Sequence, residues 1–539
     1  MTPPGRPPAL TRLSRSEALA RLRSERFDVL ILGGGINGAG LARDLALRAQ
    51  AAGLAPKIAL VEQRHFASGT SGKNSQLIHG GLRYLKQFEF HLVREALGER
   101  AILLEIAPHL VEPLPFLIPF YGPLARLYYG AGLALYDVLA GERNISRRRI
   151  LSRAEVERLE PGLSRRRLTS AGIYYDCRVN AARLVLENLF DAARLGVAIA
   201  NYVRAEGVAR RDGDFVVVLA DRLSGERFQA CARQVVDATG PWQPASELRL
   251  VRGSHLVLPK VNASSYAIAH FAVDGRIFFV IPWGPDESLS LVGTTDVDHH
   301  AGPDEVRISA EEVRYIERVL AELFPQALPV RPVSAYSSLR PLLRAAEASA
   351  TETSREHRIW TSLNGVLRIA GGKYTTYRKM SEEAAEALAG EIAPAWKGLC
   401  RTAELPLGGN SRRALEDLSA CAGELAALHG LERTEVERLI HSHGLLAAAV
   451  VEHLPEAAPE GLSRLEAAVA SFAVEHEMVE RLADLLFVST YWGYERSWER
   501  HELRRLAGWM GARLGWDELR QEAEVNLVER LLELPGREA

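Results

Sequence analysis

The sequence predicts an α/β fold: a Rossmann-like dinucleotide domain, an interleaved mixed-sheet substrate domain and a C-terminal helical domain. Three observations predict it. A glycine cluster joins a short apolar run to an alanine-rich segment at Phe27–Ala52. Apolar runs able to extend the same sheet recur far along the chain, at Phe215–Leu219 and Cys231–Val236. From Ala395 onward the apolar residues recur mainly at helical spacing.

The first element is the most informative. Phe27-Asp-Val-Leu-Ile-Leu32 reads as a buried parallel strand, and Ala39–Ala52 as a helix. Between them, Gly33-x-Gly35-x-x-Gly38 has the spacing and context of a dinucleotide fingerprint. Gly33 permits the tight turn, Gly35 admits a pyrophosphate to the backbone, and Gly38 lets helix and strand pack closely. The first-turn N–H groups then face the phosphates. A second strand, Ile58-Ala-Leu-Val61, ends in Glu62, which can accept both hydroxyls of an adenosine ribose and would repel a 2′-phosphate. The bland alternative is an ordinary glycine turn.

Residues 66–82 read as a Gly/Ser-rich loop, and Tyr84–Ile106 and Arg178–Ala193 as helices. The strand at Cys231–Val236 runs into Asp237-Ala-Thr-Gly240-Pro-Trp242. That ending resembles two-dinucleotide-domain flavoproteins, and the long separation between the elements favours FAD over NAD. Runs over Gly253–Val297 predict a mixed or antiparallel sheet, followed by a helix at Ala310–Phe324. Ile359–Ser362 and Val366–Ala370 read as strands around an Asn364-Gly365 turn.

The expected organisation is a frayed tail at 1–26 and FAD-domain segments at 27–110, 170–250 and 345–394. Residues 111–169 form a substrate or membrane-facing region, 251–344 the substrate domain, and 395–539 the helical domain. The helices expected there are Ala414–His429, Glu432–Ser442, Leu462–Glu475, Val479–Phe487, Glu499–Leu514 and Asp517–Leu532.

With 539 residues, 47% hydrophobic and 25% charged, the composition is that of a folded multidomain protein. The net charge of −2 gives no support for nucleic-acid binding. Cys177, Cys231, Cys400 and Cys421 are scattered, with no CxxC pair, which points to a reducing compartment. No metal is expected: Asp296-Val-Asp298-His299-His300 reads as a loop, and His441 and His443 do not share a helix face. No secretory signal is apparent at 1–26, and no apolar run is long enough to span a bilayer. The stretch Pro119–Tyr136 carries Tyr128, Tyr129 and Tyr136 and is interrupted by Arg126. It either lies in a membrane surface, helped by Arg143 and Arg147–Arg149, or packs on the protein itself.

Three polar constellations carry candidate chemistry. Ser68–Leu85 contains Ser71, His79, Gly80, Arg83 and Tyr84; its Gly72-Lys73 is not a P-loop, because Ala67 stands where the first glycine belongs. Ser338-Leu-Arg340-Pro-Leu342 has Arg355 nearby. Gly371-Gly372-Lys373-Tyr-Thr375-Thr-Tyr-Arg-Lys379 joins a strand to a helix through a glycine turn.

Together with Ile31–Gly40, Leu77–Leu85, Arg178–Leu184, Gly253-Ser-His255, Val280–Trp283 and Gly293–Asp296, these motifs resemble the FAD-dependent glycerol-3-phosphate dehydrogenase family. They run in family order over residues 27–395. The resemblance implies FAD as cofactor and oxidation of sn-glycerol 3-phosphate to dihydroxyacetone phosphate. It further implies electron transfer to a membrane quinone from a cytoplasmic enzyme held peripherally on the inner face of the membrane. A homodimer is admitted. The alternatives are a glycerol-3-phosphate oxidase that uses oxygen and an inactive FAD-binding regulatory protein.

By the same resemblance, Gly33, Gly35, Gly38, Glu62, Ser71, His79, Gly80, Gly240, Gly372, Lys373 and Thr375 are expected to hold FAD. Arg83, Tyr84, Arg340, Arg355 and Lys373 are expected to hold substrate, with Arg340 and Lys373 also serving catalysis. A planar guanidinium suits a phosphate dianion. The proton acceptor is expected to be His255, with His79 as the alternative; His255 could instead orient the flavin, and His79 brace its loop. Gln76 departs from the lysine expected before Leu-Ile-His-Gly-Gly and removes a positive charge there.

Overall fold

The computed structural model describes residues 13–55, 57–244, 246–344 and 356–535. Among these, one sheet has the strand order His357–Thr361, Leu367–Gly371, Arg227–Asp237, Arg26–Leu32, Ile58–Val61 and Ala198–Ala200. A ribbon, Val203–Arg211 and Asp214–Asp221, pairs antiparallel onto Arg227–Asp237. The central strands are parallel, and Val29 to Ile31 are buried on both faces, which explains their unbroken apolar run. Leu32 lies opposite both Val61 and Asp237, so Gly33, Glu62 and Ala238 emerge together at the carboxyl end of the sheet. Ligands of open α/β sheets bind at such an edge.

The helix Ile36–Ala51 packs against Ala181–Arg194 and Tyr377–Ile392. Gly40 makes the second contact close, because a Cβ there would meet the side chains of Ser381 and Tyr377. Strands from Arg26 to Gly371 thus build one sheet, with other segments inserted between them.

The second sheet is mixed. Its order is Val297–Asp298, Leu248–Pro259, Leu289–Gly293, Ile277–Trp283, Ala267–Phe271, Val111–Tyr121, Leu168–Val179 and Leu77–Ile78. Ser334–Leu343 pairs with Leu248–Pro259, and Arg149–Ser152 with Leu168–Val179. The helix Ala310–Leu323 packs on this sheet through Ile316, Val319, Leu320 and Leu323. Its start is fixed by a Ser309/Glu312 capping box.

Several expected boundaries move. Residues 15–24, placed in the tail, form a helix whose Leu19 and Leu22 are buried against the first sheet; residues 1–12 lie outside those described. Leu77–Ile78, assigned to the first FAD segment, pairs in the second sheet, and so do the strands of the 111–169 region. Arg178 and Val179 end a strand rather than start a helix, and Asn180 caps the helix that follows. Tyr84 lies in a 3-10 turn, Leu82–Gln87, and the long helix starts only at Phe90.

The C-terminal part is helical, but it is not separate in packing. Leu415 to Phe472 form a small core of their own. Ala470, Leu482, Leu486, Leu503, Met510 and Val528 instead join the main core, with the helix Ile36–Ala51. The expected helix Ala414–His429 divides at Cys421, and the expected Val479–Phe487 helix becomes a short turn followed by a π-turn at Leu485–Ser489.

Candidate active site

A cleft of about 450 Å3 is lined by the carboxyl end of the first sheet and by side chains of the second. Gly33 has φ +110, and a Cβ there would lie 2.6 Å from the Ala238 carbonyl oxygen. At Gly38 a Cβ would collide with the Gly33 carbonyl, so this glycine serves packing and does not line the cleft. Gly35 caps the helix without a side-chain bond of its own. Ser71 lines the cleft and its Oγ accepts the Ile36 N–H at 2.9 Å, so part of its role is to cap this helix.

Glu62 stands beside them. One carboxylate oxygen accepts the Gly34 N–H at 2.7 Å and the other the Arg64 N–H at 2.9 Å. Burial raises its pKa, against the lowering effect of those N–H donors. Gly240, also at the cleft, has φ +58 and no heavy atom within 4 Å of where a Cβ would project. Glycines bordering open volume, helix-start N–H groups and a carboxylate at the second strand end fit a dinucleotide such as FAD.

Farther along, the lining changes to cations and rings. Arg340 leaves its strand across Gly253, where any Cβ would collide with the guanidinium. It donates to Asp296 Oδ1 at 2.7 Å, the Thr295 carbonyl at 3.0 Å and Thr294 Oγ1 at 2.8 Å. Arg83 reaches the other oxygen of Asp296 at 3.9 Å and donates to the Tyr84 hydroxyl at 3.3 Å. The Lys373 ammonium sits 4.0 Å from the Tyr84 ring centroid, and burial lowers its pKa. Gly372 precedes it with φ +78, a conformation that favours glycine. Arg83, Tyr84, Arg340, Gly372 and Lys373 therefore line one cleft, as the sequence predicts. Arg355 lies outside the described residues.

The two histidines separate. His79 lines the cleft, held by a two-way contact with Thr375, whose Oγ1 accepts the His79 N–H at 3.0 Å. His255 is buried and does not line it; its Nε2 meets Ser75 Oγ at 2.9 Å, and Ser75 is the residue exposed to the cleft. Burial and the nearby Arg340 lower His255 to about 3, so its imidazole is neutral. Two more assignments change. Gly80 faces away, packed against Tyr136 and Leu97 with its N–H donated to Asp176, while Gly81 is the glycine at the cleft. Thr375 braces His79 from behind.

Sequence reasoning missed Asp296, Thr294 and Ser75. The Gly293–Asp296 motif was the available signal for the first two, since polar residues directly after a buried strand need a partner. Asp298 pairs with Arg249, and His299 bonds the Gly302 carbonyl, so that loop gathers no ligand set. Gln76 is structural: its amide bridges Gly72, Ala181 and Tyr491 beneath the loop.

Fold and cleft together define an FAD-dependent oxidoreductase. The FAD dependent oxidoreductase family matches residues 28–378, and the C-terminal domain of alpha-glycerophosphate oxidase matches residues 400–521. The aerobic glycerol-3-phosphate dehydrogenase of Bacillus subtilis is 31% identical, covering 96% of this chain and 97% of that protein. The glycerol-3-phosphate dehydrogenase of Synechocystis is 33% identical over 86% of this chain and 88% of its own length. The crystal structure of the Bacillus halodurans glycerol-3-phosphate dehydrogenase with FAD superposes with a TM-score of 0.79 at 28% identity, covering 97% of this chain and 98% of that one. The chain belongs to the FAD-dependent glycerol-3-phosphate dehydrogenase family.

Proposed function

We propose that this enzyme oxidises sn-glycerol 3-phosphate to dihydroxyacetone phosphate and delivers the electrons to a quinone at a membrane surface. The observation that carries the substrate is the cluster of Arg83, Arg340 and Lys373 around one cleft, with the two arginines sharing Asp296. A phosphate dianion suits that excess of cation. Gly33, Gly35, Ser71 and Gly240, which line the cleft, would hold FAD there, and the flavin would supply the acceptor for the C2 hydride. Arg340 and Arg83 hold the phosphate, and Lys373 steadies the substrate oxygen as negative charge develops. His79, the histidine that lines the cleft, takes the hydroxyl proton in place of the His255 expected from sequence.

The membrane reading rests on the helix Pro123–Ala140. Leu124, Leu127, Tyr128, Ala131, Leu135 and Val138 lie on one exposed stripe at helical spacing, with Leu124 77% and Leu127 75% accessible. The other face packs inward through Leu133 and Tyr136, whose hydroxyl donates to Asp176. Both alternatives for this segment therefore have a face. Phe88, at the end of the Leu82–Gln87 turn, and Val273 are also exposed apolar side chains. Lys86 of that turn lies 3.9 Å from the Phe271 ring centroid and near Tyr129, tying turn, strand and helix together. Leu82, Arg83 and Tyr84 of the same turn line the cleft, so this exposed apolar surface adjoins the cleft, which supports a membrane contact there. No described helix is long and apolar enough to cross a membrane.

The oxidase alternative is favoured only by the name of the family that matches residues 400–521. Anaerobic mixing of the holoenzyme with sn-glycerol 3-phosphate, followed by oxygen or a short-chain quinone, tests both halves. Flavin bleaching followed by faster reoxidation with quinone is expected. No bleaching would reject the substrate, and faster reoxidation by oxygen would reject the quinone reading.

A further inference from the structure

Outside the cleft, the C-terminal helices bring together His453, Glu475 and His476, one ligand atom of each lying within 4.8 Å of the others. His453 follows the short helix Ala447–Val451, whereas Glu475 and His476 end the helix Arg464–His476. The reaction uses none of the three.

One of their contacts already has metal-ligand spacing. His453 Nδ1 bonds the Ala449 carbonyl at 2.9 Å, which places the proton on Nδ1 and leaves the Nε2 lone pair available. That Nε2 points at Glu475, 3.4 Å from Oε2. Tetrahedral zinc with bonds near 2.0–2.1 Å separates its ligand atoms by roughly 3.3 Å, so one contact already has the required spacing. The His453 and His476 rings meet edge-on, with centroids 5.3 Å apart, and both rest on the buried ring of Phe472. A backbone carbonyl behind the first histidine is the outer support usual for metal-bound imidazole. Glu475 is half-exposed and can swing inward, although Arg513 also attracts it.

We propose that His453, Glu475 and His476 bind one divalent transition-metal ion of the zinc class, with water completing the coordination. Two imidazoles and a carboxylate suit zinc and disfavour magnesium and calcium. The ion joins the ends of two helices and closes the intervening 454–463 segment, so it stabilises the helical region and takes no part in the redox step. This revises the expectation of no metal.

The test is calorimetric titration of chelator-treated holoenzyme with zinc chloride, with melting temperature and flavin absorbance followed in parallel. One zinc per chain is expected, with a rise in melting temperature and an unchanged flavin spectrum. His453→Ala and His476→Ala should each weaken binding by at least about tenfold. Glu475→Gln, a conservative change at a half-exposed position, should also weaken it and abolish most of the thermal shift. No binding to the wild type at free zinc up to about 100 µM, or equal binding by the wild type and all three variants, would overturn the proposal.

Discussion

Two regions of this molecule use arginine under opposite conditions. Where the helix Ala181–Arg194 meets the C-terminal helices, Arg183 is buried between Glu477, at 2.5 Å, and His443 Nε2, at 2.8 Å. His443 is held neutral by burial and by that arginine. In the cleft, Arg340 has one carboxylate and two neutral oxygens, its side chain is 21% exposed, and the same carboxylate also serves Arg83. The first arginine is consumed by structure. The second retains capacity for an anion. Residue type alone does not distinguish the two; the sharing of one carboxylate between two arginines and the adjoining open volume do.

His79→Ala should slow anaerobic flavin reduction by about 10²–10⁴-fold, while His255→Ala should have a much smaller effect on the same rate. Stopped-flow absorbance checks this, and the reverse order would return the base to His255. At the junction, Arg183→Met strands Glu477 without its cation and should destabilise the enzyme by about 3–5 kcal/mol. Denaturant melts would measure the loss, whereas substrate preference should be unchanged in the protein that remains folded.

A smaller and different effect belongs to the exposed stripe. Leu124→Ser with Leu127→Ser removes apolar surface without touching the core, so melting temperature should hold while flotation with anionic liposomes falls. Leu133→Ser is an unsuitable probe, because that side chain is buried. If the double variant floats like the wild type, the helix Pro123–Ala140 is not the anchor.

The smallest effect depends on pH. Asp484 is buried and accepts from the Tyr202 hydroxyl at 2.7 Å across the junction. Burial raises its pKa from 3.8 to about 6. Its contribution to stability is therefore present below about pH 4 and lost as pH rises through 6. Tyr202 favours the ionised form, so Tyr202→Phe should cost little at low pH and about 1–2 kcal/mol above pH 7. A deficit that shrank with rising pH would contradict this charge assignment.

Much of the cleft was legible in the sequence, whereas the buried role of Arg183 was not, and the reason is physical. The glycines at 33 and 38 are forced by backbone proximity, which spacing records directly. Arg83, Arg340 and Lys373 lie in short motifs that carry the family resemblance, so their convergence on one cleft was expected from it. Gly80 and Gly81 are adjacent, and only the chain's turn decides which of them faces the ligand. His255 sits on a strand where a one-residue difference in facing exchanges cleft for core. Sharing of the main core by the last helices was hidden as well, because helical spacing identifies a buried stripe without naming what covers it.

Arg340 is proposed to recognise phosphate through its bidentate fork. Anaerobic flavin reduction of wild type and Arg340→Lys, at matched FAD content, tests it with sn-glycerol 3-phosphate and with glycerol. Lysine keeps the charge and loses the fork, so efficiency with the phosphorylated substrate should fall about 10- to 150-fold, corresponding to about 1.5–3 kcal/mol. Glycerol should lose far less. Equal relative losses with both substrates would contradict phosphate recognition by Arg340.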